Sequence, residues 1–172
     1  PFWDLHWYYV AKKSKTFSNY LAAGDGGDEV FGGYTFRYAK FLSLINSKSS
    51  VLEKTQAYLK CHERDSVKDQ ESIFGKKISF NWNFIYEQIS SNFNNNLSSL
   101  DQVFLADYNG KLMNNFSPIN NKINDYFELT SITPLLSSEL ISYATTLDPN
   151  QKYSNTKNIG KLPLQQLLKK YN

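Results

Sequence analysis

The segment YLAAGDGGDEVFGGY, residues 20–34, decides the fold of this chain. Residues 17–23 form a short run that ends in apolar residues, and a glycine follows directly. This run is typical of a buried β-strand, and the residues after the glycine-rich turn favour a helix. Strand, turn and helix in this order indicate one unit of an α/β fold, in which ligands bind beyond the carboxyl ends of the strands.

Five glycines lie within residues 20–34. Glycine adopts positive φ without steric cost and lets backbone N–H groups approach an anion closely. We expect three of these glycines, together with the start of the following helix, to bind a phosphate group. They are Gly24, Gly26 and Gly27.

Three acidic residues, Asp25, Asp28 and Glu29, share the turn with these glycines. Carboxylates repel phosphate unless a cation lies between them. Mg²⁺ removes the conflict, because it binds one or two carboxylates together with phosphate oxygens of a substrate. The alternative is that the acids only stabilise the start of the helix, by about 0.3–1 kcal/mol each. Because five glycines around three acids exceed what helix capping requires, we favour the magnesium site.

Composition limits the classes of protein to consider. The chain has 172 residues, of which 41% are hydrophobic and 20% charged, as expected of one globular domain. The net charge of +3 comes from scattered lysines, which gives little support to nucleic-acid binding, and no apolar run is long enough for a membrane span. A single cysteine, Cys61, excludes an internal disulfide and fits a reducing cytoplasm. The chain begins with Pro1 rather than methionine, which indicates a piece of a longer protein, a processed chain or an engineered segment.

Helical patterns dominate the rest of the chain. A first helix is predicted over residues 4–15, with Leu5, Tyr8 and Tyr9 buried. Later helices are predicted from capping residues and apolar stripes: Ser50 with Glu53, Ser99 with Gln102, Ser137 with Glu139, and the stripe Leu164, Leu167, Leu168 and Tyr171. Residues 90–99 and 114–124 are rich in Asn and Ser and are predicted to be loops, the second one broken by Pro118.

No second strand is predicted after Tyr34. Since one strand cannot satisfy its own backbone hydrogen bonds, we expect residues 17–23 to pair with strands upstream of Pro1. The chain, residues 1–172, is then the C-terminal part of a larger α/β domain. Within it, residues 1–36 carry the strand and the turn, and residues 37–172 form a helical region.

Three segments resemble the synthetase domain of asparagine synthetase B and its relatives. AAGDGGDEVFGGY (22–34) is similar to the family's Ser-Gly-Asp/Glu-Gly-x-Asp-Glu-hydrophobic-Phe-Gly-Gly-Tyr motif, and PLLSSELISYA (134–144) and GKLPLQQLLKKY (160–171) resemble two later segments in the same order. The resemblance implies an ATP pyrophosphatase fold of the adenine nucleotide alpha hydrolase-like class. It also implies an asparagine synthase reaction, in which ATP and Mg²⁺ adenylate a small carboxylate such as aspartate and ammonia from a glutaminase domain attacks it.

The resemblance assigns roles to individual residues. Asp28 matches the family's magnesium-binding aspartate, and Asp25 matches the neighbouring acid near the reacting centre, so both are candidate metal ligands. Lys161 matches the lysine that neutralises charge in the transition state and on pyrophosphate. Asp25 and Lys161 are therefore the candidate catalytic residues. The candidate nucleotide-binding residues are Gly24, Gly26, Gly27, Asp28 and Lys161.

The chain also departs from the family pattern. It lacks the Ser-Gly-Gly-x-Asp-Ser pyrophosphate loop and the glutaminase domain, so a missing upstream segment or another chain is the expected partner. Ile119 and Asn120 stand where the family has an Asp-Arg pair, and Glu128 is followed by two extra residues and no arginine. Two alternatives follow: a relative that forms a lactam or another amide with a different nucleophile, or a catalytically degenerate interaction domain. Whether the protein forms a homo-oligomer is left open.

Overall fold

A computed structural model of the chain describes residues 2–62, 72 and 81–171. This part consists mainly of helices with one small parallel sheet, and none of these helices is both long and apolar enough to cross a membrane. The helices are α1 Phe2–Ser14, α2 Gly27–Phe31, α3 Thr35–Leu44, α4 Val51–Cys61, α5 Trp82–Ser90, α6 Ser99–Ala106, α7 Ser117–Tyr126, α8 Ser138–Thr146, α9 Pro149–Lys152 and α10 Leu162–Tyr171. A π helix spans Asp107–Phe116, a 3₁₀ turn spans Pro134–Leu136, and the strands are β1 Tyr20–Ala22 and β2 Thr130–Ile132.

The sheet corrects two predictions about the strand. β1 pairs in parallel with β2 of the same chain, with Leu21 opposite Ser131, so the chain contains a second strand, which supplies one partner of β1. We missed β2 because its three residues are too few to show a periodic pattern. The predicted burial of the strand is also wrong, since the side chains of Tyr20 and Ile132 are 62% and 44% exposed.

Two of the three predicted helix caps are confirmed. The hydroxyl of Ser50 accepts from the backbone N–H of Glu53, whose carboxylate accepts in return from the Ser50 N–H. Ser137 caps α8 by accepting from the Leu140 N–H. The cap of α6 is Ser98, one residue before the predicted one, and the predicted loop between α5 and α6 is confirmed.

The loop predicted at residues 114–124 is helical instead. α6, the π helix and α7 follow one another without interruption from residue 99 to residue 126. Pro118 lies in the first turn of α7, where its missing N–H is tolerated. Asparagine has a low helix propensity, but tertiary contacts override it, as Asn124 on α7 is buried and accepts from the indole N–H of Trp7.

Two clusters of buried side chains hold the helices together. The larger packs Tyr38 and Phe41 of α3 against α4, α6 and the aromatic rings of Phe93 and Tyr153. In the smaller, Val30 and Phe31 of α2 contact α8 and α10. Because α2 contacts α8 and α10, the turn before it is held against the C-terminal part of the chain.

Burial differs from the prediction on the first and last helices. Among the described side chains of α1 only Ala11 is buried, whereas Leu5 and Tyr9 are about half exposed. On α10 the predicted stripe is largely uncovered, with Leu168 and Tyr171 exposed among its members. The spacing of the apolar residues predicted both helices, but it did not predict which of their side chains are buried.

Candidate functional site

An ion pair joins the acidic turn to the C-terminal part of the chain. Lys161 Nζ lies 2.8 Å from Asp28 Oδ1, and each side chain is 39% exposed. Both residues line an open cleft of about 410 Å³, together with Gly33, Gly160 and Gln165. The structure therefore brings together two of the predicted site residues that are far apart in sequence, and it places both at a cleft.

Backbone contacts fix Lys161 at this place. Its φ is +54°, in the left-handed region that non-glycine residues rarely adopt, and its N–H donates to the Phe31 carbonyl at 3.0 Å. Gly160 packs so closely against the carbonyl of Gly32 that a Cβ at position 160 would overlap with it. This contact attaches the residues before α10 to the end of α2. An unusual backbone conformation of this kind often occurs at functional sites.

Gly33 is a site residue that the sequence analysis did not identify. A Cβ at this position would overlap with Asp28 Oδ1 and with Lys161 Cε. Its φ lies outside the positive range, so the requirement for glycine comes from space and not from backbone conformation. Position 33 must be small for the ion pair to form in this geometry.

We expect Gly33→Ala to separate Asp28 from Lys161 without unfolding the protein. An exposed ion pair contributes about 0–1 kcal/mol, so the free energy of unfolding should change by no more than about that amount. A displacement of about 1 Å at a reacting centre costs up to about 100-fold in rate, so any activity that depends on the pair should fall by roughly 10- to 100-fold. Urea unfolding and an activity assay on the same preparation measure both effects.

Gly110→Ala is the matched control for this substitution. A Cβ at position 110 would meet no atom within 4 Å, so neither stability nor activity should decrease. Equal activity of Gly33→Ala and Gly110→Ala would show that the geometry around Asp28 has no functional importance.

The glycine turn differs in part from the expectation. Of Gly24, Gly26 and Gly27, only Gly26 has a positive φ, at +87°. The Gly27 N–H donates to the Gly24 carbonyl at 3.1 Å, so its hydrogen bond is made within the turn. A Cβ at position 26 would overlap with the side chain of Leu136. Gly26 is therefore required by both conformation and packing, while nothing within 4 Å restricts position 24.

Asp25 does not line the cleft that Asp28 and Lys161 line. Its Oδ2 accepts from Asn120 Nδ2 at 3.1 Å. Asn120 is on α7, and it is one of the two residues that stand where the resemblance places an Asp-Arg pair. The structure thus connects the acidic turn directly to the segment in which the sequence departs from the family pattern.

Asp28 is better suited to a magnesium ion that is bound together with substrate phosphates than to one that is bound by protein side chains alone. The part of the chain that the structure describes contains no group of three or more His, Cys, Asp or Glu residues suited to a metal. Mg²⁺ needs only one or two carboxylates when phosphates and waters supply its remaining ligands. The partly exposed carboxylate of Asp28 at the cleft meets that smaller requirement.

The third acid of the turn, Glu29, belongs to a buried polar network behind the site. Its side chain is only 3% exposed and accepts from the Tyr34 hydroxyl at 2.6 Å. Arg37 and Lys111 lie over the Tyr34 ring, at 4.2 Å and 4.0 Å from its centroid. Burial lowers the pKa of Lys111 to about 8. These contacts connect the acidic turn to α3 and to the π helix.

Asp107, the first residue of the π helix, is fully buried in the same region. Its Oδ1 accepts from the Tyr58 hydroxyl at 2.8 Å and lies 3.9 Å from Arg37 Nη1. Asp107 Oδ2 and Arg37 Nη1 have no hydrogen-bond partner among the described residues. Burial raises the pKa of Asp107 to about 6, although Tyr58 and Arg37 oppose the shift. Neither Asp107 nor Arg37 was identified as a functional residue from the sequence.

The raised pKa of Asp107 predicts a pH dependence of stability. Between pH about 4 and 6 the folded protein binds this proton more tightly than the unfolded chain, so the free energy of unfolding should fall as pH rises through this window. A shift of about two units corresponds to roughly 3 kcal/mol. Urea unfolding of the wild type and of Asp107→Asn at pH 4, 5, 6 and 7 tests this, because the neutral amide should abolish this part of the dependence.

Asp125→Asn serves as the control for that experiment. Asp125 is exposed on α7, and its replacement should leave the pH dependence as in the wild type. A slope that survives in Asp107→Asn would assign the effect to another group.

Comparison with known proteins identifies the family of the chain. The family model for asparagine synthase matches residues 3–172, almost the whole chain. The chain therefore belongs to the asparagine synthase family. Membership of this family indicates, in broad terms, ATP-dependent amide formation by a ligase or synthetase. The same comparisons found no matching curated protein and no matching solved structure.

Proposed function

We propose that the chain is the C-terminal part of an asparagine-synthetase-type domain of the ATP pyrophosphatase fold. The reaction adenylates a small carboxylate such as aspartate, releases pyrophosphate and forms an amide when ammonia attacks the adenylate. The observation that carries the proposal is the Asp28–Lys161 pair, which lies at an open cleft in a chain of this family.

The two charges of the pair have complementary roles in this reaction. Asp28 would bind the Mg²⁺ that accompanies the polyphosphate of ATP, which neutralises part of the phosphate charge. Lys161 would donate to the phosphate oxygens, on which negative charge develops as the bond to pyrophosphate breaks. Without substrate the two side chains neutralise each other, so neither charge is left alone at the cleft.

Asp25 and the turn glycines have supporting roles in the proposal. Asp25 is held by Asn120, which lies in the segment where the resemblance places the Asp-Arg pair. In the family, that region helps to hold the acceptor substrate. Gly24, Gly26 and Gly27 would let the turn approach the phosphates, with Gly26 fixing the backbone conformation.

The contact between Asn120 and Asp25 also favours a second candidate. The neutral amide of Asn120, which donates to Asp25, stands where the resemblance places an arginine. An amide cannot pair with a second carboxylate as arginine does. The acceptor could thus be recognised in another way, as in a relative that forms a lactam or another amide with a different nucleophile.

The small sheet supports the proposed upstream partner. Parallel sheets are normally covered on both faces, but the side chains of Tyr20 and Ile132 are largely exposed. We propose that an upstream segment or another chain adds strands here and supplies the pyrophosphate loop, and that a glutaminase domain supplies ammonia. The division at residues 36 and 37 and the cytoplasmic location stay predictions, and the oligomeric state stays open.

ATP–pyrophosphate exchange in the full-length protein tests the proposal. We expect aspartate to stimulate the exchange of labelled pyrophosphate into ATP in the presence of Mg²⁺. Stimulation by another small carboxylate, and not by aspartate, would favour the second candidate. No exchange with any carboxylate would favour a catalytically degenerate interaction domain.

A further inference from the structure

Two sets of hydrogen bonds close the segment from Asp28 to Tyr34 on itself. The carbonyl of Asp28 accepts from the backbone N–H groups of Gly32 and Gly33, from the second at 2.8 Å. The hydroxyl of Tyr34 donates to Glu29 Oε1 at 2.6 Å. In this closed form Gly33 lies so near to Asp28 Oδ1 that position 33 has no room for a Cβ. The place of the Asp28 carboxylate therefore depends on the conformation of this segment.

The ring of Tyr34 is held by two cations from outside this segment. The guanidinium of Arg37 on α3 lies 4.2 Å from the ring centroid, and the ammonium of Lys111 on the π helix lies 4.0 Å from it. At such distances a cation is attracted to an aromatic ring. Arg37 lies in turn 3.9 Å from the buried carboxylate of Asp107. The tyrosine that closes the segment is therefore fixed by residues of α3 and of the π helix.

The hydrogen bond from Tyr34 to Glu29 joins a protonated hydroxyl to a buried carboxylate. Burial raises the pKa of the Tyr34 hydroxyl, and the hydrogen bond to Glu29 adds to this shift, so the hydroxyl keeps its proton at neutral pH. Glu29 is only 3% exposed, and a buried carboxylate that loses a donor is strongly disfavoured. Tyr34→Phe would keep the aromatic ring but remove this donor, so we expect the segment to open.

We propose that Tyr34 is a positioning residue for the Asp28–Lys161 pair, an inference that rests on the proposed function of that pair. Tyr34 is not among the residues that line the cleft, so it acts through Glu29 and not by contact with a substrate. By keeping the segment closed, its hydroxyl keeps the Asp28 carboxylate 2.8 Å from Lys161 Nζ. The carboxylate then needs no ordering before it binds Mg²⁺ at the cleft.

Tyr58→Phe is the matched control for Tyr34→Phe. The Tyr58 hydroxyl also donates to a buried carboxylate, that of Asp107, at 2.8 Å, but Tyr58 lies on α4, outside the segment from Asp28 to Tyr34. Each substitution removes one hydroxyl donor from a buried carboxylate, so we expect similar losses of stability in urea. A role of Tyr34 in stability alone would make the two variants alike in the assays that follow, whereas a positioning role separates them.

Labelling of Lys161 by acetic anhydride in the full-length protein, measured by peptide mass spectrometry at low conversion, tests the inference without any reaction. The ion pair with Asp28 protects the amine of Lys161, and the exposed Lys157 is an internal reference. We expect Tyr34→Phe to increase the labelling of Lys161 relative to Lys157 by about two- to fivefold, as when an exposed ion pair is lost, and Tyr58→Phe to label like the wild type. Wild-type labelling in Tyr34→Phe, or the same increase in both variants, would overturn the proposal.

The Mg²⁺ requirement of ATP–pyrophosphate exchange provides the second readout. A residue that orients a metal ligand contributes about 10- to 100-fold to metal affinity, so we expect Tyr34→Phe to raise the Mg²⁺ concentration for half-maximal exchange at least about tenfold. Tyr58→Phe should keep the wild-type requirement. An unchanged requirement in Tyr34→Phe would overturn its role in the reaction. If the wild type shows no exchange, the proposed function fails, whereas the labelling of Lys161 still decides whether Tyr34 positions the pair.

Discussion

Replacing Asp28 by alanine is expected to reduce ATP–pyrophosphate exchange in the full-length protein by about 1,000-fold or more. The substitution removes the carboxylate proposed to bind Mg²⁺ and leaves Lys161 without its partner at the cleft. Electrostatic groups aimed at developing charge contribute about 10²–10³ each, and the loss of a metal adds to this. The fold should persist, because a pair in which each side chain is 39% exposed stabilises the protein by about 1 kcal/mol at most.

Two measurements separate a catalytic role of Asp28 from a structural one. Asp125→Ala removes an exposed carboxylate on α7 and should leave exchange close to the wild-type rate. Urea unfolding should show nearly the same stability for both variants. Undiminished exchange in Asp28→Ala would remove this residue from the mechanism.

The second large effect is expected for Lys161→Met, which should lower exchange by about 100-fold or more. Methionine has a similar length but no charge, so the phosphate oxygens lose the donor proposed to stabilise the transition state. Residue 161 has a φ of +54°, and lysine and methionine are both unbranched at Cβ, so we expect the substitution to add no new conformational strain there. We expect the loss mainly in the rate at saturating ATP, because the interaction strengthens as charge develops.

Lys157→Met is the control for this variant. Lys157 is exposed and lies four positions before Lys161 in the same connection between α9 and α10. Its replacement should leave the exchange rate unchanged. If both lysine variants lose activity equally, the effect comes from the net charge of the region and not from the position of Lys161.

The sequence identified the two charged residues of the site, but it did not predict the close contacts that bring them together. The resemblance singled out Asp28 and Lys161, and the structure joins them by an ion pair. The need for glycine at positions 33 and 160 could not be predicted, because it arises only where α2 meets the residues before α10. A single glycine in a sequence does not reveal whether it serves a turn or a close contact between distant segments.

The sequence predicted those elements of the fold that depend on interactions between residues close together in the chain. The capping box of Ser50 and Glu53 satisfies backbone groups within one turn, so the sequence alone sufficed. β2 is too short for a periodic pattern, and α7 contains asparagines that favour loops, so both depend on tertiary contacts. The buried network around Asp107 was missed for the same reason, since its members come from α3, α4 and the π helix.

Binding of pyrophosphate in the presence and absence of Mg²⁺ tests the central claim most directly. Calorimetric titration should be done on the full-length wild-type protein and on its Asp28→Asn and Lys161→Met variants. We predict that the wild type binds pyrophosphate in a Mg²⁺-dependent manner, that Asp28→Asn loses the Mg²⁺ dependence, and that Lys161→Met binds much more weakly. Wild-type affinity and Mg²⁺ dependence in both variants would contradict a polyphosphate site at the Asp28–Lys161 pair.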